Sequence, residues 1–134
     1  MMRNVLVLED DEDLLYIIRT ALQDAGDMVQ TAPNVAMALH IVQHGTKGRI
    51  ILFDYHFPEG TAKDLMQALA ADTNLRARFA LILMTGSDLS QDDEIQALIR
   101  RLEVRQLPKP FLIEDLFTAI AAAEIELSER TRQS

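Results

Sequence analysis

Five short apolar runs alternate along this chain with longer segments whose apolar residues recur at helical spacing, and few architectures accommodate that alternation. The runs are Val5-Leu6-Val7-Leu8, a weaker one over 28–32, Ile50-Ile51-Leu52-Phe53, Phe79-Ala80-Leu81-Ile82-Leu83-Met84, and Val104-Arg105-Gln106-Leu107. Leu14, Leu15, Ile18, Leu22 and Ala25 form the first helical stripe, which Gly26 stops. Asn34 reads as the N-cap of a second helix burying Met37, Ala38, Ile41 and Val42, ended by Gly45 and Gly48. A third helix over 62–71 turns Leu65, Met66 and Leu69 inward. Ser90 is positioned to cap a fourth, with Asp92, Asp93 and Glu94 in its first turn and Ile95, Leu98, Ile99 and Leu102 as its buried stripe. The last helix spans 112–128 with Leu116, Ile120, Ala123 and Leu127 at helical spacing.

Five βα units fill the chain. Right-handed crossovers in so short a chain predict an α/β fold, a doubly wound five-stranded parallel sheet in the order 2-1-3-4-5 with helices on both faces. The organisation expected is one domain over 1–128 and a polar, frayed tail over 129–134. No apolar run reaches the roughly 18 residues that a membrane span needs, and the N-terminus has no signal-peptide pattern. Cysteine is absent, which excludes disulfides and thiolate metal sites. These features predict a cytoplasmic protein without a membrane partner. A net charge of −8, with arginines scattered among acids and no interleaved aromatic residues, argues against direct nucleic-acid binding.

The chemistry sits at the strand ends. The first run leads into Glu9-Asp10-Asp11, the third into Asp54, the fourth into Thr85-Gly86 and the fifth into Pro108-Lys109-Pro110. In an open parallel sheet these ends share the edge where ligands bind, and the switch point between the first and third strands gathers Glu9, Asp10 and Asp54. Three carboxylates there repel unless a hard cation joins them. Magnesium, which takes a few carboxylates and keeps water elsewhere, suits them best, with manganese as the second choice. Lys109, the Thr85 hydroxyl and the Gly86 amide complete a receptor for a group with several anionic oxygens, such as phosphoryl. Taken singly, each residue has a plainer reading: Asp11, Glu12 and Asp13 as helix-dipole residues, Thr85-Gly86 as a turn, Lys109 as a surface lysine. Four matching chemistries at four strand ends are harder to reach by chance.

The residues Val5-Leu6-Val7-Leu8-Glu9-Asp10-Asp11, Asp54 with Pro58 four positions on, Thr85-Gly86, and Lys109-Pro110-Phe111 resemble the receiver domain of two-component response regulators, over 4–127. The resemblance implies a flavodoxin-like fold of the chemotaxis-regulator kind. It implies that Asp54 accepts a phosphoryl group from a phosphohistidine on a sensor histidine kinase or phosphotransfer protein. It also implies that Glu9, Asp10, Asp54 and the backbone carbonyl of His56 hold magnesium, that Thr85, the Gly86 amide and Lys109 contact the phosphoryl oxygens, and that the Lys109-Pro110 bond is cis. Such a domain catalyses its own phosphorylation and dephosphorylation without being a conventional enzyme.

Two departures bear on output. Gln106 stands where the family usually has an aromatic residue that turns inward when the threonine moves, and Ala62 replaces a frequent glycine. The tail after Leu127 is too short for a DNA-binding output domain, so signalling is expected through contacts with a downstream protein. His56 and Ser87 border the family's hydrolytic water route, and an exposed loop histidine without influence is an equal alternative. His40 and His44 are expected on the surface of the second helix, with no catalytic role. A degenerate receiver serving as a phosphorylation-independent interaction module competes with this reading through Gln106, but the five intact site residues weigh against it. A phosphohydrolase of the haloacid dehalogenase type needs a second acid two residues after Asp54, and His56 stands there.

Overall fold

Continuous apolar runs become central strands because a parallel sheet covered on both faces leaves no strand side for polar residues. The computed structural model follows that logic; it describes residues 3–45, 49–56 and 61–133, with side chains through 130. The expected stop at Gly48, the loop residues Phe57, Pro58, Glu59 and Gly60, and Ser134 lie outside the described residues. The elements are β1 (Asn4–Leu8), α1 (Glu12–Asp24), β2 (Met28–Thr31), α2 (Val35–His44), β3 (Arg49–Asp54), α3 (Ala62–Ala70), α4 (Thr73–Arg76), β4 (Phe79–Thr85), α5 (Asp93–Leu102), β5 (Arg105–Pro108) and α6 (Ile113–Gln133). The five strands form one sheet in the order β2-β1-β3-β4-β5, every pairing parallel.

Alternate strand residues feed two cores. Leu6, Leu8, Ile51, Phe53, Leu81 and Leu83 pack with α2, α3 and α5, whereas Val5, Val7, Ile50, Leu52, Ile82 and Met84 pack with α1 and α6. β3 and β4 are buried almost throughout, whereas the edge strand β2 alternates between exposed and half-buried residues and β5 is exposed except at Leu107. Among the described residues no helix is long and apolar enough to cross a membrane.

Several local expectations are corrected by packing. The N-cap of α5 is Asp92, whose carboxylate accepts from the Ile95 amide at 3.1 Å, while Ser90 sits in a turn closed by Asp88. Aspartate caps as well as serine does, and Asp92 gains a contact with Lys63 at 2.9 Å. α5 closes on Glu103 in the left-handed conformation (φ 53°), and the Val104 amide donates back to the Ile99 carbonyl. That cap consumes Val104, so β5 begins one residue later than expected. Met37 is exposed because α2 buries the stripe Val35, Ala38 and Val42, and Met37 lies off it. The one-turn helix α4, capped by Asp72 and anchored by buried Leu75, is too short to leave a periodic signal. The segment expected to fray after 128 stays helical through Gln133, because Arg130 donates to the Phe79 carbonyl and pairs with Glu126 and Glu103.

The cap assignment has a direct test. Asp92→Ala is expected to lower stability by about 1 kcal/mol, and Ser90→Ala to change it by less than about 0.5 kcal/mol, in urea denaturation. Equal losses would return the cap to Ser90.

Candidate functional site

Parallel pairing brings the C-terminal ends of β1, β3, β4 and β5 to one edge, and the register sets which side chains meet there. Leu8 pairs with Phe53, so Glu9 follows β1 beside Asp54, the last residue of β3. Asp54 pairs with Met84, which sets Thr85 at the end of β4 on its other flank. Thr85 pairs with Pro108, and the Lys109 amide donates to the Thr85 carbonyl at 2.9 Å just before the cis Lys109-Pro110 bond.

The side chains then converge. Lys109 Nζ lies 2.9 Å from Glu9 Oε2 and 3.1 Å from Asp54 Oδ2. Glu9 and Asp54 are both buried, and Asp10 is exposed. Backbone amides fix the other carboxylate oxygens: Asp11 N donates to Glu9 Oε1 at 3.1 Å and Tyr55 N to Asp54 Oδ1 at 2.7 Å. Glu9, Asp10 and Asp54 each offer an oxygen, all within 4.8 Å of one another. The set is all carboxylate, part buried and part open to water, which fits a hard dication that retains water ligands.

Charge at this edge is out of balance. Burial is the main cause that pushes the Glu9 carboxyl above its usual range, and the Asp54 charge adds to it, against the pull of Lys109 and the Asp11 amide. For Lys109, burial works against the ammonium, but hydrogen bonds to Glu9 and Asp54 prevail and raise it. The ammonium is thus firmly held while the buried Glu9 carboxylate remains under-compensated. Because the native state holds the Glu9 proton more tightly than the unfolded chain does, ionising Glu9 costs stability as pH rises through its native value. A cation would relieve that cost.

The remaining predicted residues are placed as follows. The Thr85 hydroxyl accepts from Ser87 N at 3.0 Å, on the side facing the loop after β4. Gly86 is exposed, and a Cβ there would meet Lys109 Cβ at an ordinary 3.8 Å, so space does not demand glycine. His56 is exposed, forms a single antiparallel bridge with Thr61, and meets the Tyr55 ring edge-on at 4.8 Å. Ala62 is fully buried. Gln106 is exposed on the edge strand in register with Leu83, away from the convergence. Asp11 is the N-cap of α1, accepting from Asp13 N and Leu14 N, in line with its helix-dipole reading. The orienting amides of Asp11 and Tyr55 went unseen in the sequence, since a backbone donor carries no residue-type signal.

A family model of the response regulator receiver domain matches residues 5–121. The DNA-binding transcriptional regulator NtrC of Bradyrhizobium sp. (strain RP501 Parasponia) is 28% identical over 130 residues, covering 95% of this chain and 25% of that protein. The chain therefore spans a quarter of the length of the curated relative it matches. Among solved structures, chemotaxis response regulator CheY4 of Vibrio cholerae is 23% identical with a TM-score of 0.77, covering 92% of this chain and 99% of that one. The signal receiver domain of an HD domain-containing protein from Pseudomonas fluorescens Pf-5 is 18% identical with a TM-score of 0.79, covering 96% and 99%. The structural likenesses show the fold.

The Glu9 imbalance yields a prediction. With chelator present, Glu9→Gln is expected to be more stable than the parent at neutral pH. That advantage should shrink as pH falls and be gone below the ordinary carboxyl value, where Glu9 is protonated in both states. Urea midpoints at the two pH values check it; a Gln variant less stable at neutral pH would contradict the imbalance.

Proposed function

This chain belongs to the response regulator receiver domain family, and on that premise we propose that Asp54 is its phosphoacceptor, charged by a sensor histidine kinase or a phosphotransfer protein. Members of the family take their phosphoryl group from such donors. The observation that carries the assignment is the contact of Lys109 Nζ with both Asp54 and Glu9 at the strand ends. That geometry sets a carboxylate nucleophile beside an ammonium already aimed at the space an incoming anionic group must enter.

The transfer forms a bond between an Asp54 carboxylate oxygen and phosphorus and breaks the bond from phosphorus to the donor nitrogen, whose imidazole takes the electron pair. Charge develops on the equatorial phosphoryl oxygens in a loose transition state, so oriented positive groups supply most of what the protein can add. Tyr55 N holds Asp54 Oδ1, leaving Oδ2 to exchange its Lys109 contact for the phosphorus. Lys109 then follows the charge onto a phosphoryl oxygen. Thr85 turns from Ser87 toward another, beside the Gly86 amide. Glu9, Asp10 and Asp54, with the His56 carbonyl, are the groups that would hold magnesium, or manganese in its place, and the ion would supply positive charge to offset the acidic cluster and the phosphoryl oxygens. His56 and Ser87 flank the route by which water returns Asp54 to the free carboxylate.

Output is assigned to protein contacts rather than to nucleic acid, in keeping with the net charge of −8. A cytoplasmic location goes with kinase partners and a cysteine-free chain. The switch is proposed to run through the loop 86–90 and the start of α5 rather than through residue 106. Gln106 is already exposed and has no ring to bury, whereas Thr85 is hydrogen-bonded to Ser87 within that loop, and Lys63 ties Asp92 at the start of α5 to α3. Phosphorylation can shift the equilibrium only through contacts that differ between its two states, and these are the contacts at hand.

Incubation with acetyl phosphate and magnesium is expected to add one phosphoryl group by intact mass, and Asp54→Asn or excess chelator to abolish it. A label that survives the substitution removes Asp54 from the role. NMR shifts with and without beryllofluoride are expected to move most over 86–93 and little at the Gln106 side-chain amide; the reverse pattern would show a switch built on residue 106.

A further inference from the structure

α2 carries two histidines that belong neither to the acidic edge nor to either core. His40 and His44 are both exposed, one helical turn apart, with ring centroids 4.2 Å apart and planes tilted by 35°. Residues four apart on a helix share a face. His44 Nδ1 lies 2.9 Å from the His40 carbonyl. A carbonyl only accepts, so that nitrogen carries the proton, and the neutral ring keeps its lone pair on Nε2. An imidazole whose one nitrogen donates to a backbone carbonyl has its tautomer and direction set for metal ligation through the other. α2 runs from the end of β2 to the start of β3, so His44 lies toward the sheet edge opposite Asp54, at a helix C-terminus whose dipole favours a cation.

We propose that His40 and His44 form a two-imidazole site for a late transition-metal dication, copper(II) foremost. Imidazole nitrogen suits copper, nickel and zinc, and among divalent metals copper binds such donors most tightly. Magnesium prefers oxygen and does not compete, which keeps this site separate from Glu9, Asp10 and Asp54. Water fills the remaining positions. The pair also has a plain structural account, in which His44 bonds its own helix and His40 merely stacks upon it. That account explains the hydrogen bond and predicts no metal affinity that depends on both rings. A chelate does, because the second ring binds from a fixed position on the same turn, worth roughly 100-fold in affinity.

Copper(II) sulfate is titrated into the full chain in millimolar magnesium, followed by calorimetry and by electron paramagnetic resonance. One site with two imidazole nitrogens in its hyperfine pattern is expected. His40→Ala and His44→Ala should each weaken it roughly 100-fold, while Gln43→Ala, an exposed position on the same helix, leaves it unchanged. Circular dichroism checks that α2 persists in the variants, as exposed positions should allow. Copper bound equally well by either α2 variant, or by fewer than two imidazoles in the parent, overturns the site.

Discussion

The organising constraint of this molecule is the contact of one ammonium, Lys109, with two buried carboxylates that lie 100 and 55 residues away in the chain. No local preference could assemble it. It exists because every strand of a parallel sheet ends on the same edge, so residues placed after β1, β3 and β5 arrive together however far apart they are in sequence. The sheet can hold them in register because its central strands are buried on both faces and cannot slip without exposing apolar side chains.

That arrangement carries a standing cost. Glu9 is removed from water beside Asp54, and the shared lysine does not fully offset it. Burying a charge is expensive unless it is paired and hydrogen-bonded, and here the pairing is one ammonium for two carboxylates, with backbone amides of Asp11 and Tyr55 as support. A site short of positive charge is one that gains from taking up a cation. The two apolar layers, packed from alternate strand residues, supply the stability that tolerates such a site.

Much of the fold was legible because its signals are local or periodic. The apolar runs marked all four strong strands within a residue or two, and Gly26, with φ of 94°, stops α1 as expected. The misplacements share a cause: competition between neighbouring groups that sequence cannot rank. Ser90 and Asp92 both cap helices, and Lys63 on another helix sits beside Asp92. Val104 is apolar and β-branched, yet the α5 cap claims its amide. Residues 129–133 are polar, yet Arg130 finds the Phe79 carbonyl 51 residues away.

The sequence by itself determined the types of the elements other than the one-turn α4, the strand order through the rules of parallel crossovers, and the identity of the reactive groups at each strand end, because residue type and spacing encode these directly. Only the tertiary structure decided how those groups share charge: which oxygen each lysine or amide engages, that Glu9 is buried while Asp10 is open, and that Gln106 faces solvent. The same holds for His40 and His44, whose spacing is plain in the sequence but whose facing rings and fixed tautomer are not. The physical reason is range. Spacing along the chain fixes what a helix or strand presents, while electrostatics and hydrogen bonding depend on distances of a few ångströms that only packing sets.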